Sequence, residues 1–151
     1  MLIRDLHIRG FGKFNNYKIN FGEGLNIVYG DNEAGKSTVH QFIQGMLFGF
    51  FKPYIKTKKY TEVYDKYLPW NMKEGYEGTL IFEENNKAYR IERNFMKRHD
   101  SFKLYNEITG EDITKQLPYN PVTKLPDIYG LIGLSETAFK NIISISQLQS
   151  Q

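Results

Sequence analysis

Cysteine is absent from all 151 residues, so the chain can form neither disulfides nor thiolate metal sites. This absence fits the reducing cytoplasm, where we expect the protein to act. No apolar run reaches 18 residues, and charges at Arg4, Asp5 and Arg9 interrupt any signal-peptide core. The five prolines are few beside eleven Phe and eleven Tyr, which argues against disorder. The composition predicts one soluble globular domain with no membrane segment.

A strong charge of either sign is also missing, since the formal net charge is +3. The basic residues form two clusters: Lys52, Lys56, Lys58, Lys59 and Lys66, then Lys97, Arg98 and His99. Such clusters can contact phosphate backbones, although most are solvated loops. The sequence leaves open whether the loop from Lys52 to Lys66 touches nucleotide, DNA or water.

The first part of the chain predicts a hairpin followed by a buried strand. Residues 2–9 place Leu6 and Ile8 on one side of a strand, and residues 17–21 alternate in the same way. The Gly- and Asn-rich stretch between them suits a hairpin connection. Residues 25–29 form a short apolar run typical of a buried strand.

A helix follows, because apolar residues recur at helical spacing: Val39, Phe42, Ile43, Met46, Leu47 and Phe50. Gly49 and Pro53 mark its end. Residues 52–75 show no clear period, so we expect a long loop around the sequence YLPWN.

The second half predicts mostly strands. Residues 78–83 and 87–93 flank an Asn-Asn pair that suits a tight hairpin turn. A further strand and turn cover SFKLYNEITGEDIT, residues 118–130 form a Pro-rich connection, and Ser135 can cap a short helix. The chain ends in a strand-like alternation. This order predicts an α/β fold with an antiparallel component.

The central feature is a glycine-rich phosphate loop between the strand at 25–29 and the helix. Gly30, Gly35, Lys36 and Ser37 fit the pattern G-x-x-x-x-G-K-[ST]. The glycines allow a tight backbone path whose N–H groups point at an anion. Lys36 is expected to reach the β- and γ-phosphates, and the Ser37 hydroxyl to ligate Mg²⁺. The pattern therefore predicts ATP and Mg²⁺ as cofactors.

Residues 1–50 resemble the N-terminus of the SbcC-like ATPases of DNA repair, especially their YhaN-type branch. In that family a hairpin with a Gly-Phe-x-x-Phe pattern precedes a loop of the form G-x-N-x-x-G-K-[ST]. Gly10, Phe11 and Phe14 match the first pattern, and Asn32 matches the second. The resemblance implies a P-loop NTPase of the ABC type, here its N-terminal head lobe, with a mixed sheet and an antiparallel β subregion.

The resemblance also implies a set of site residues. The loop residues expected to hold nucleotide are Gly30, Asp31, Asn32, Glu33, Ala34, Gly35, Lys36, Ser37 and Thr38. The stretch GLSETAFKNIISISQ is similar to the segment that leads to the family's Q-loop, which makes Gln147 the candidate for holding Mg²⁺ and the attacking water. Relatives carry an arginine in the hairpin, where this chain has Lys13. Lysine supplies the positive charge of arginine but not its two parallel hydrogen bonds. The sequence leaves two alternatives open: Lys13 contacts phosphate, or it is a solvated residue at the hairpin tip.

Two other parts of an ABC-type head do not follow in this sequence, namely a Leu-Ser-Gly-Gly signature and a Walker B Asp-Glu pair. The sequence TLIFEE resembles a Walker B motif because apolar residues precede two carboxylates. However, Glu83 and Glu84 precede a hairpin turn and are predicted to face solvent. We therefore expect residues 1–151 to be the N-terminal lobe of a split head, ending near the start of a coiled coil. The resemblance implies four partners: a C-terminal lobe, a second head, an SbcD/YhaO-type nuclease and DNA.

Three other functions fit a phosphate loop. A small nucleotide kinase needs acceptor-site arginines, yet ITGEDITKQLPYNPVTKLPD contains none. The GFGKF hairpin argues against the nucleotide-binding domain of an ABC transporter. A non-hydrolysing interaction module would show no nucleotide-induced shift in melting temperature.

Overall fold

The computed structural model describes residues 1–22, 33–52, 59–97, 99–121 and 125–141. Five strands form its central sheet: β1 (Leu2–Phe11), β2 (Phe14–Asn20), β5 (Glu77–Glu84), β6 (Lys87–Asn94) and β7 (Ser101–Asn106). Their order is β2-β1-β5-β6-β7. A separate ribbon pairs β3 (Phe51–Lys52) with β4 (Lys59–Tyr60). Every strand pairing within the described ranges is antiparallel.

One long helix, α1 (Glu33–Phe48), packs on β1, β5 and β6. The shorter helices are α2 (Glu62–Lys66) and α3 (Tyr129–Ile132), and residues 136–141 are also helical. Met72–Glu74 and Thr114–Gln116 form single 3-10 turns. In the part of the chain that the structure describes, no helix has the length and apolar character needed to cross a bilayer.

The predicted first hairpin is confirmed and is longer than expected. β1 and β2 pair from Asp5 opposite Asn20 to Phe11 opposite Phe14. Leu6 and Ile8 face the core, as the alternation predicts. Ile3 is buried as well, three residues before Leu6, because the pairing with β5 shifts register between Ile3 and Asp5. Such a bulge returns the alternation to the same face of the sheet.

The two faces of the sheet differ in chemistry. α1 covers the apolar face, and the predicted helical stripe from Val39 to Phe50 is buried there. The other face carries half-exposed ion pairs between strands, such as Arg4 with Glu83 at 3.0 Å. One apolar face under a helix and one charged face define a two-layer arrangement.

Aromatic rings fill the space between α1 and the sheet, and Phe11 lies at their centre. Its ring centroid lies 5.0 to 6.0 Å from those of its ring neighbours: Phe42, Phe50, Tyr67, Tyr76 and Phe95. Edge-to-face and offset contacts of this kind stabilise a core beyond the area they bury. The end of the first hairpin is therefore anchored in the main core.

The prediction of a long loop over 52–75, around YLPWN, is only partly right: residues 67–71 lie outside helices and strands, but the described residues on either side form regular elements. This region contains β4, α2 and a 3-10 turn, and both Tyr64 and Tyr67 are buried. Periodicity failed because each element is too short to show a period. The tyrosines anchor the segment through tertiary contacts instead.

Several local predictions are confirmed. Asn85 and Asn86 both have positive φ, at 51° and 64°, as the tight turn between β5 and β6 requires. The hydroxyl of Ser135 accepts a hydrogen bond from the Ala138 amide at 3.2 Å, which is an N-cap contact. The strands predicted at 25–29 and at the end of the chain lie outside the described residues.

Candidate functional site

The second half of the glycine-loop pattern opens α1. Its first four residues are Glu33, Ala34, Gly35 and Lys36, while Gly30, Asp31 and Asn32 lie outside the described residues. The first N–H groups of a helix have no carbonyl partner within it, and the helix dipole adds positive potential there. The start of a helix suits an anion, and in this chain it coincides with the residues that the pattern assigns to phosphates.

Ser37 and Thr38 follow on α1 and face different surroundings. Ser37 is exposed, whereas Thr38 is only 6% exposed. Mg²⁺ prefers oxygen ligands, so the accessible Ser37 hydroxyl fits one position of such a site. Thr38 instead packs towards the first hairpin, and its methyl carbon would lie 3.8 Å from a Cβ placed on Gly12.

The tip of this hairpin is where β1 meets β2, at Gly12 and Lys13. Gly12 has φ +58°, which favours glycine, and a Cβ there would lie close to the Tyr67 ring, at 3.3 Å. Lys13 is exposed, with its Nζ 5.8 Å from the centroid of the Phe14 ring. Gly12 therefore lies near Thr38, and the hairpin tip that carries Lys13 lies beside the N-terminal half of α1.

Residues Tyr67–Trp70, which we call the clamp segment, hold the hairpin tip in place. The Gly12 amide donates to the Tyr67 carbonyl at 2.6 Å, and the Trp70 amide donates to the Gly12 carbonyl at 3.4 Å. The Tyr67 ring stacks on Phe11 with 5.0 Å between centroids. Sequence reasoning placed this segment in a loop. The signal that could have found it is the aromatic-Pro-aromatic pattern of YLPWN, which is unusual for a solvated loop.

The opposite end of α1 is held by Arg93 of β6. Its Nε donates to the Met46 carbonyl at 2.9 Å, and its guanidinium lies 4.7 Å from the centroid of the Phe102 ring. Burial lowers the pKa of Arg93 to about 10, while Asp100 acts in the opposite direction. The group therefore remains charged at neutral pH. A cation at a helix C-terminus is favourable, so Arg93 fixes the axis of the helix that carries the site.

The segment that leads towards Gln147 docks on α1. Gln44 donates from Nε2 to Glu136 Oε2 at 2.9 Å, and the Phe48 and Phe139 rings lie 5.8 Å apart. Gln147 itself lies outside the described residues, so its role stays a prediction.

Glu83 and Glu84 lie in the β5–β6 hairpin as predicted, but they are half-buried rather than fully solvent-facing. Glu83 accepts a hydrogen bond from Arg4 at 3.0 Å. Glu84 lies 2.9 Å from the N-terminal amine of Met1, with its side chain 17% exposed. Both carboxylates have structural partners. Across the described ranges, His, Asp and Glu form no group of three able to hold a metal ion.

The glycine-loop pattern leading into a helix on a sheet defines the class of P-loop nucleotide-binding domains. Comparison with protein-family models gives the family: the AAA domain model matches residues 5–150, so the chain belongs to that family. Within it, the chain is an N-terminal P-loop region of the Rad50-like kind.

Individual relatives agree. The chain is 49% identical over 59 residues, or 38% of its length, to the uncharacterized protein YhaN of Bacillus subtilis (strain 168). It is 31% identical over 131 residues, or 80% of its length, to the DNA double-strand break repair Rad50 ATPase of Thermococcus kodakarensis. It is 26% identical over 134 residues, or 89% of its length, to the DNA replication and repair protein RecF of Agathobacter rectalis. The chain spans 6%, 14% and 32% of these relatives.

Proposed function

We propose that this chain is the ATP-binding N-terminal lobe of an SbcC/YhaN-like ATPase that acts in DNA double-strand-break repair in the cytoplasm. ATP binding would drive two heads together, and a nuclease of the SbcD/YhaO type would act with them on DNA. The names of the Rad50 and RecF relatives support the repair context. Residues 1–151 would form one lobe of an ABC-type head with a mixed sheet and an antiparallel β subregion.

One observation carries the proposal: the glycine-loop pattern ends within the first turns of α1, and Gly12 at the hairpin tip, next to Lys13, lies near Thr38 on the same part of the helix. Free N–H groups, two cationic side chains and a hydroxyl would then converge on one triphosphate. Arg93 supports this arrangement from the other end of α1.

The roles follow from the chemistry of each group. Backbone N–H groups from Gly30 to Thr38 would cradle the phosphates, and Lys36 would bind the β- and γ-phosphates. Lys13 would add a point charge without bidentate geometry. Ser37 and Gln147 would supply oxygen ligands for Mg²⁺, which when bound would neutralise phosphate charge.

The catalytic base and the signature contact would come from elsewhere, namely a C-terminal lobe and a second head. We therefore expect the 151-residue chain alone to bind ATP weakly and to hydrolyse almost none of it. Robust turnover that Lys36→Ala abolishes would contradict this assignment of the base to another lobe.

Equilibrium dialysis with Mg²⁺-ATP tests nucleotide binding itself. Lys36→Ala should weaken binding at least tenfold, because a charge-assisted contact to the phosphates is lost. Lys87→Ala is the matched control, since Lys87 is exposed at the distant β5–β6 turn. Equal affinities for the wild type and Lys36→Ala would refute the proposed function.

A further inference from the structure

A cavity of about 320 Å³ lies at the C-terminal end of α1, away from the phosphate pattern. Its apolar walls include Leu47 and Phe50 at the end of the helix, Phe51 of β3, and Phe95 just after β6. The 16 residues of α1 span roughly 24 Å, which separates this cavity from the first turns of the helix. Sites for small molecules have this size and combine apolar walls with a few polar groups.

Arg93 supplies the cavity with a buried cation that has donors to spare. The residue is 6% exposed, and its Nε donates to the Met46 carbonyl. Among the described residues, its Nη1 and Nη2 atoms donate no hydrogen bond, and the guanidinium forms no ion pair. Gly49 makes room for this group, because a Cβ there would lie 3.0 Å from Nη1. An anion stabilises a buried cation, and a carboxylate matches the parallel N–H groups of a guanidinium.

Asp100 lines the same cavity and carries the opposite charge. Its carboxylate attracts Arg93 electrostatically, but the two side chains form no ion pair. The residue is half-buried, and within the described part of the chain its carboxylate accepts no hydrogen bond. A ligand with both charges can satisfy a cation and an anion that share a cavity without touching.

Two further carboxylates line the cavity, and both accept hydrogen bonds from the protein. Asp127 accepts from the Tyr129 amide at 3.0 Å, and Glu136 accepts from Gln44 Nε2 at 2.9 Å. Their negative charge opposes a ligand that carries only anionic groups, such as phosphate. The lining therefore favours a ligand with one carboxylate, one positive group and an apolar part.

We propose that this cavity binds a free α-amino acid with an apolar side chain, a function separate from nucleotide binding. The α-carboxylate accepts hydrogen bonds from Nη1 and Nη2 of Arg93, and the ammonium group donates to Asp100. The apolar side chain of the ligand lies against Phe51 and Phe95. Since Arg93 also bonds to the Met46 carbonyl, the ligand is held at the end of α1 that is remote from the phosphate pattern.

Isothermal titration calorimetry of the intact chain tests this proposal with phenylalanine and three matched probes. Phenylalanine should bind saturably at one site. Hydrocinnamate lacks the ammonium group and phenethylamine lacks the carboxylate, so each should bind at least tenfold more weakly because one charge-assisted contact is lost. Glycine, which lacks the apolar side chain, should also bind more weakly. Absence of saturable phenylalanine binding at millimolar concentration, or equal affinities for phenylalanine and hydrocinnamate, would overturn the proposal.

Asp100→Asn is the informative variant, because it removes the charge and keeps the shape of a half-buried side chain. It should weaken phenylalanine binding at least tenfold and leave hydrocinnamate binding unchanged, which a general loss of folding would not do. Asp65→Asn is the matched control, since Asp65 is exposed and lies outside the cavity. Equal phenylalanine affinities for the wild type and Asp100→Asn would refute the assigned role of Asp100 and with it the site.

Lys36→Ala separates this proposal from the proposed function. The variant should lose affinity for Mg²⁺-ATP and bind phenylalanine as the wild type does, because the two sites lie at opposite ends of α1. Phenylalanine binding that disappears in Lys36→Ala would place the ligand at the phosphate end and overturn the cavity assignment. Failure of ATP to bind would leave the phenylalanine result unaffected.

Discussion

Arg93 Nε lies 2.9 Å from the carbonyl oxygen of Met46, so a side chain of β6 holds the last turns of the helix whose first turns carry the phosphate pattern. The residue is 6% exposed and contacts the Phe102 ring as well. This hydrogen bond joins the sheet to the site-bearing helix.

Arg93→Met should lower the free energy of unfolding by about 2 kcal/mol, because the Met46 carbonyl loses a charged donor inside the protein. Arg93→Lys should recover part of this, since it keeps the charge without the planar group. Urea unfolding measures both. Lys103→Ala, which removes an exposed pair with Asp112 at 3.5 Å, should hardly change stability, because solvent screens such a pair. Equal midpoints for Arg93→Met and Lys103→Ala would show that Arg93 does not secure the helix.

Gly10→Ala should be strongly destabilising, by more than about 3 kcal/mol, because a Cβ there would overlap the Gly75 carbonyl oxygen. The backbone of β1 meets the turn after Met72–Glu74 at this point. Gly110→Ala is the control, since Gly110 has φ +76° but open space around it. It should cost only about 1 kcal/mol for the left-handed backbone. Thermal melting of both variants checks the difference, and a mild effect at Gly10 would mean that the two backbones can separate.

Tyr76 should make stability fall at alkaline pH. Burial, and then the nearby Tyr64 and Asp65, raise the pKa of its hydroxyl well above the ordinary value. The folded state therefore keeps a proton that the unfolded chain releases above about pH 10, so stability present below that pH is lost as the pH rises.

Tyr76→Phe should flatten this alkaline decline, although it loses the hydrogen bond to the Tyr64 carbonyl at 3.0 Å and about 1 kcal/mol at neutral pH. Urea unfolding at about pH 8 and about pH 11 separates the two effects. Tyr119→Phe serves as the control because Tyr119 is exposed. A decline of the same slope in Tyr76→Phe would assign the alkaline loss to other groups.

Ser37→Ala should separate binding from stability. Ser37 is exposed on α1, and alanine is the better helix former, so the melting temperature should hardly change. Binding of ATP in the presence of Mg²⁺ should weaken, because an oxygen ligand is lost. Ser101→Ala, at another exposed serine, should leave binding unchanged. If Ser37→Ala binds Mg²⁺-ATP as the wild type does, Ser37 is not a metal ligand.

Local sequence patterns predicted the hairpins and the helix well, for a physical reason. The alternation of β1 and the apolar stripe of α1 each lie within a dozen residues, and both describe a buried face directly. The Asn85-Asn86 turn is encoded by two residues that tolerate positive φ. Such features need no knowledge of the rest of the chain.

The segment 52–75 could not be predicted in this way. Tyr67 is buried against Phe11 of the first hairpin, and the Tyr64 hydroxyl accepts a hydrogen bond from the Lys97 amide, so both tyrosines depend on residues far away in the chain. The pairing of Ile8 with Gly78, which places β5 beside β1, is equally remote. No local period encodes either contact.

The sequence by itself determined the phosphate pattern, the helix that follows it and the family resemblance, because these depend on spacing along the chain. The tertiary structure alone decided that Gly12 lies near Thr38, that Arg93 binds the Met46 carbonyl and that Trp70 is exposed beside the hairpin tip. Each of these contacts joins elements that are distant in sequence. Their geometry follows from strand order and packing, which only the folded chain defines.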